Sequence, residues 1–231
     1  MKMLLFLIFR IHDVVTNAFA QNIQQIKRGI LVIAHLSLFG FFFPDLRKEF
    51  GELAGNLLIV ILFLSPASRI VRIRFLTLLM AIRRELGILM GYLAIVHGVG
   101  YMIDPLWFQG YILPNLSQWQ NGFFFGMMAF FLTLPLLFTS NNLAQKYLGG
   151  KKWKWLHRTV YAMFFFAILH RFFIKVNTES QMIIALVQSG ILIGSYILLK
   201  LLVWKNFLAP LRSAIAYVEG IHSQYKAEKL V

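Results

Sequence analysis

The chain has 231 residues, of which 59% are hydrophobic and 14% charged, with a mean hydropathy of +0.70. That balance excludes an ordinary soluble domain and points to an all-α integral membrane protein. The formal net charge of +14 raises the question of an acidic partner, whereas the absence of cysteine excludes disulfides, thiolate-bound zinc, iron–sulfur clusters and covalently attached haem.

Residues 1–28 open with MKMLLFLIFRIHDVV, where Lys2 precedes an apolar run broken early by Arg10, His12 and Asp13. The pattern predicts an interfacial, weakly anchoring amphipathic helix rather than a cleaved signal. Six segments then approach the roughly 20 apolar residues that a bilayer crossing needs. They are predicted near 29–44, 53–68, 84–103, 121–140, 154–175 and 182–204, the second ending at the pair Ser65-Pro66. Residues 29–204 therefore read as one six-transmembrane-helix bundle. The basic tail 205–231 follows, predicted as an amphipathic helix on the inner membrane surface from near Leu211, after Pro210.

The basic residues fix the predicted orientation. With the N-terminus inside, 19 of the 23 Lys and Arg fall in cytoplasmic segments, and only Arg47, Lys48, Arg171 and Lys175 lie outside. Both termini are expected to be cytoplasmic. The outer loop 104–121, DPLWFQGYILPNLSQWQN, has no Lys or Arg and carries two tryptophans, as an interfacial loop should. Topology thus accounts for the positive charge, leaving membrane lipid as the partner and no need for nucleic acid.

Ionisable groups inside a span are costly and usually face the bundle interior, so the histidines carry the chemistry. His97 lies in the outer half of the third span, with Gly91, Ala94, Gly98 and Gly100 around it to admit a flat ligand. His170 lies at matching depth on the fifth. Facing imidazoles on two helices are what an axially ligated b-type haem requires. His157, thirteen residues before His170, would sit about 20 Å along a straight helix and about 140° around it. A second metal centre there would need an offset. Arg83 and Arg84 open the third span, either as a plain positive flank or as a grip for haem propionates or a quinone headgroup. His35 is expected to make an interhelical hydrogen bond, and His12 and His222 to meet solvent.

The run FTSNNLAQKYLGGKKWKWLHRTVY (138–161), together with SPASRI (65–70) and RRELGILMGYLAIVHGVGYM (83–102), resembles spaced motifs of the haem-binding membrane subunit MsrQ of the protein-methionine-sulfoxide reductase system. That group belongs to the ferric-reductase-like transmembrane domains, which include NADPH oxidases and iron reductases. The resemblance covers roughly 29–204. It implies that His97 and His170 ligate the outer haem and that His157 is the inner histidine of the fifth span. Arg83 stands where larger relatives have another histidine, so one haem is implied and a second is open. It further implies a bacterial inner-membrane cytochrome, with a periplasmic molybdenum-cofactor reductase as acceptor. Since no GxGxxG or P-loop is present, electrons would come from a quinol or a separate flavin reductase, with FMN or quinone as an additional cofactor. Two alternatives stand beside this: direct reduction of ferric iron or another small acceptor, and a proton or metal transporter. Glu85, at the inner boundary, is the only acid in a predicted span, which disfavours transport.

Overall fold

The computed structural model describes residues 2–71, 73–178, 181–204 and 217. Among them every regular element is helical. The order is α1 (Lys2–Gln21), α2 (Ile23–Ser37), α3 (Leu46–Ile70), α4 (Arg74–Ala81), α5 (Arg83–Met102), α6 (Phe123–Phe138), α7 (Asn142–His157), α8 (Val160–Thr178) and α9 (Met182–Trp204). A 3-10 turn, Leu38–Phe42, extends α2. Among the described residues, five stretches are long and apolar enough to cross a membrane: Ile23–Phe42, Leu46–Ile70, Arg83–Met102, Asn142–Asn177 and Met182–Trp204. The remaining apolar helix, α6, has 16 residues and reaches about 24 Å, short of a ~30 Å hydrocarbon core. The tail 205–231 lies outside the described residues except Tyr217.

Three sequence expectations change. The helix of the second span does not stop at Ser65-Pro66; α3 runs through Pro66 to Ile70. Proline there removes one donor, and the Ser68 hydroxyl donates to the Ser65 carbonyl at 3.0 Å. The predicted fifth span is broken between its histidines: α7 ends at His157, Arg158 and Thr159 form a turn, and α8 begins at Val160. The phase of a straight helix therefore does not relate His157 to His170. Lastly, the loop 104–121 is mostly short helical turns, from Pro105–Trp107 through Leu113–Asn115 to Trp119–Asn121. Asp104 caps the first by accepting from the Leu106 N–H at 3.1 Å, and Tyr101, Trp107, Tyr111 and Phe123 meet edge to face in succession.

The chain divides into two compact units. In the first, formed by residues 1–26, 62–82 and 194–231, α1 packs on α4. Phe19 meets Phe75 edge-on at 5.9 Å, and Arg74 donates to the Asn17 side-chain oxygen at 3.0 Å. The second unit comprises residues 27–61 and 83–193, and in it α6 lies against both α5 and α8. A Cβ added at Gly91 would meet Leu137 at 2.9 Å, and one at Gly98 would meet Phe130 at 2.9 Å, so these glycines on α5 admit the side chains of α6. On its other flank α6 stacks Phe125 on Phe173 at 5.6 Å and 10°, and the Thr133 hydroxyl approaches the Met163 sulfur at 3.1 Å. His35 joins α2 to α5 as expected, with Nε2 3.4 Å from the Tyr92 hydroxyl.

Gly98→Val should drive a branched side chain into Phe130 and cost about 1–3 kcal/mol, the usual range for overpacking. Gly190→Ala, facing open space, should be neutral or slightly stabilising. Thermal unfolding of both variants in detergent checks the contrast, and equal midpoints would remove the close-approach role of Gly98.

Candidate functional site

His97 on α5 and His170 on α8 come together in the second unit. Their ring centroids are 6.2 Å apart with planes at 68°. His97 Nδ1 lies 2.8 Å from the Arg47 carbonyl on α3, and His170 Nδ1 lies 3.0 Å from the Gly122 carbonyl at the start of α6. A carbonyl only accepts, so each Nδ1 carries the proton and each Nε2 presents a lone pair.

The two imidazoles are seated by the same local device. On α3 the carbonyl of Arg47 holds His97, and a Cβ on Gly51, four residues later, would meet that ring at 2.4 Å. On α6 the carbonyl of Gly122 holds His170, and a Cβ on Gly126, again four residues later, would meet that ring at 2.7 Å. Because Cβ atoms tilt toward a helix N-terminus, a side chain at i+4 would cover the carbonyl of residue i. Glycine leaves that carbonyl open sideways. The Gly122 oxygen also accepts the Gly126 N–H at 3.0 Å, using its second lone pair. Gly122 has φ +82°, the left-handed region that glycine enters without penalty. A Cβ there would meet the His170 carbonyl oxygen at 3.0 Å.

This corrects one sequence expectation. Gly91, Gly98 and Gly100 do not line the imidazoles with open space; they receive Leu137, Phe130 and Arg47 respectively. The glycines that seat the rings are Gly51 and Gly126, on the neighbouring helices.

Arg47 is only 6% exposed. Its Nη1 donates to the Asp104 carboxylate at 2.8 Å, and its guanidinium lies 5.9 Å from the Tyr101 ring centroid. Tyr101 in turn meets His97 edge-on at 5.3 Å. Arg47 Nε is buried without a hydrogen-bond partner. The hydrogen bond from Arg47 holds the Asp104 carboxyl below its usual range.

The other predicted residues gather elsewhere. His157 Nε2 is 3.1 Å from the Thr139 hydroxyl, and its ring stacks on Trp153 at 4.0 Å. The Thr139 proton is committed to the Pro135 carbonyl at 2.6 Å, so Thr139 accepts from His157 Nε2–H. That leaves Nδ1 as the free acceptor of His157. Arg83 acts electrostatically on His157, but no second histidine stacks on or hydrogen-bonds to His157 among the described residues. Arg84 is occupied: Nε and Nη2 reach one Glu85 oxygen at 3.2 and 3.0 Å, and Nη1 donates to Asn142 at 2.8 Å. Arg83 and Arg84 begin α5 fourteen and thirteen residues before His97, about 20 Å away along the helix. They cannot serve the same end of the unit as His97.

A family model described as ferric reductase like transmembrane component matches residues 50–168, about half of the chain. The chain belongs to the ferric reductase-like transmembrane family. The match includes His97 and His157 and stops two residues short of His170. The protein-methionine-sulfoxide reductase heme-binding subunit MsrQ of Herminiimonas arsenicoxydans is 32% identical over 134 residues, which are 56% of this chain and 58% of that protein. The MsrQ of Klebsiella pneumoniae is 27% identical over 163 residues, 68% of this chain and 79% of that one. Magnetosome protein MamZ of Magnetospirillum gryphiswaldense is 31% identical over 140 residues, 58% of this chain but 20% of MamZ. Thus the chain spans a little over half of the first MsrQ and a fifth of MamZ. No solved structure matches.

Asp104 gives a pH prediction. Its folded pKa lies below its unfolded value, so the unfolded chain takes up the proton first as pH falls. The stabilisation is complete above about pH 5 and is lost as pH drops through about 4 and then through the folded value. Asp104→Asn should flatten that acid limb of thermal stability, and an unchanged limb would show that the Arg47 pair does not govern it.

Proposed function

We propose that this protein is a membrane b-type cytochrome with one haem held between His97 and His170. The observation that carries it is the pair of imidazoles 6.2 Å apart, each with Nδ1 tied to a carbonyl. A metal–imidazole bond is about 2 Å long, so rings at this separation are near enough for both to reach one metal ion. Two neutral imidazoles with free Nε2 lone pairs suit iron, and the backbone acceptors raise their basicity and fix their orientation. The buried, unpartnered Arg47 Nε offers a donor to a porphyrin carboxylate.

Bound there, haem would supply one-electron transfer. The protein's own part is positional and electrostatic. His97 and His170 would hold the iron through their free nitrogens, Gly51 and Gly126 provide the room for their rings, and the cationic Arg47 beside them would favour the reduced, less positive state. His157, whose Nε2–H is committed to Thr139, is not needed for this haem. With Arg83 it marks the inner end of α5, where a second haem, FMN or a quinone headgroup would have to sit.

The six apolar helices are assigned as a transmembrane bundle of residues 29–204, flanked by interfacial segments 1–28 and 205–231. Both termini are assigned to the cytoplasmic side of a bacterial inner membrane by the 19-to-4 distribution of Lys and Arg. Electrons are taken from a quinol or a separate flavin reductase. Similarity to proteins named as heme-binding subunits of protein-methionine-sulfoxide reductase supports a reductase catalytic subunit on the periplasmic side as acceptor.

The purified chain should show a Soret band that shifts on dithionite reduction. His97→Ala and His170→Ala should each abolish it, Gly126→Ala should weaken it by displacing the His170 ring, and His157→Ala should spare it. Loss of the band in only one of the two axial variants would overturn their pairing.

A further inference from the structure

Arg171 and Lys175 are two of the four basic residues on the predicted outer side, where insertion disfavours positive charge. Of the other two, Arg47 is bound to Asp104. Arg171 and Lys175 have no hydrogen bond from their side chains and no ion pair among the described residues. They lie one turn apart on α8 and line a slot of about 320 Å³ with Phe172, Asn56 of α3, and Gln188 and Ser189 of α9. Ile59, Ile168, Ile191 and Leu192 complete an apolar wall. Asn56, Arg171 and Gln188 are exposed, so the slot opens at the surface of the unit.

The slot is separate from the imidazole pair. Residues 168, 171, 172 and 175 share one face of α8, and that face points about 150° around the helix from His170. Arg171 stands seven residues before the end of α8 at Thr178, about 10 Å into the span. A guanidinium at that depth needs an anion or must reach back to the interface. Polar donors from α3 and α9 converge on the same slot, where an apolar wall runs beside them.

We infer that this slot binds the phosphate of an anionic membrane phospholipid, with Arg171 and Lys175 on the headgroup and an acyl chain along the apolar wall. Arg171 can engage two phosphate oxygens at once through its fork of donors, and Lys175 adds a compact charge one turn nearer the interface. Asn56, Gln188 and Ser189 provide further donors for the headgroup. Two cations without an ion-pair partner among the described residues favour a lipid of net negative charge over a zwitterionic one, whose own cation they would repel. The occupant seats α3, α8 and α9 together at the level of His170 without touching its ring.

Native mass spectrometry of the full chain in mild detergent tests this with dioctanoyl phosphatidylglycerol, dioctanoyl phosphatidylcholine and inorganic phosphate. Phosphatidylglycerol should bind at least tenfold more tightly than phosphatidylcholine, and equimolar inorganic phosphate should not displace it. The double variant Arg171→Gln/Lys175→Gln should lose that preference while keeping its absorption spectrum. Ser189→Leu, which fills the slot and leaves both charges, should weaken lipid binding as well. Lys151→Gln/Lys152→Gln, which removes the same charge from exposed positions on α7, should change nothing. Equal binding of the two lipids, a preference that survives the Arg171/Lys175 variant, or a preference lost equally in the Lys151/Lys152 variant would overturn the proposal. Displacement by free phosphate would assign the slot to a soluble anion instead of a lipid.

Discussion

Two hydrogen bonds, from the Nδ1–H of His97 to the Arg47 carbonyl and from that of His170 to the Gly122 carbonyl, set most of what this site can do. Each orients a ring, fixes its tautomer and leaves the opposite nitrogen free. Neither bond would form with a side chain at Gly51 or Gly126, because the ring occupies the space a Cβ would take. The chemistry of two helices, α5 and α8, thus depends on bare backbone presented by two others, α3 and α6. Iron ligation is proposed from the lone pairs that this arrangement exposes.

Charge is distributed with the same economy. Among the described residues, an arginine–carboxylate pair lies near each end of α5, Arg47 with Asp104 near His97 and Arg84 with Glu85 at the start of the helix. Burying such groups is costly unless their hydrogen bonds are met. Arg47 is nearly met: two neighbours satisfy its charge, its carbonyl holds His97, and only Nε is left over. Glu85 is 1% exposed, with one oxygen on Arg84 and the other unpartnered. These two unpartnered atoms lie near opposite ends of α5. The first is adjacent to the imidazole pair and is the donor assigned to a porphyrin carboxylate.

The histidines were legible in the sequence because a polar ring in an apolar run is conspicuous, and equal depth on parallel spans can be counted at 1.5 Å per residue. The seats of the rings were not. Gly51 and Gly126 lie in helices that carry no candidate ligand, and a glycine in an apolar helix gives no sign of which neighbour it admits. The glycines beside His97 attracted attention and proved to receive Leu137, Phe130 and Arg47. Arg47 itself read as an ordinary outer charge, since its carbonyl, not its side chain, makes the contact with His97. The straight-helix estimate for His157 assumed one continuous helix, and Arg158 and Thr159 form a turn between it and His170.

Composition and hydropathy alone determined an all-helical membrane chain, because a bilayer leaves the backbone few ways to satisfy its own polar groups. The basic residues alone determined a predicted orientation, and the apolar runs alone placed 84–103 and 182–204 within one residue of the observed helices, whereas 53–68 begins seven residues inside α3 and 121–140 holds a helix of 16 residues. Tertiary structure decided which faces of those helices meet. It set the 6.2 Å between two rings separated by 73 positions in the chain, the open carbonyls that hold them, and the grouping of Arg171 and Lys175 with donors from α3 and α9. Periodicity gives the depth of a residue along its own helix, but the rotation of one helix against another follows from side-chain packing, which no single segment encodes.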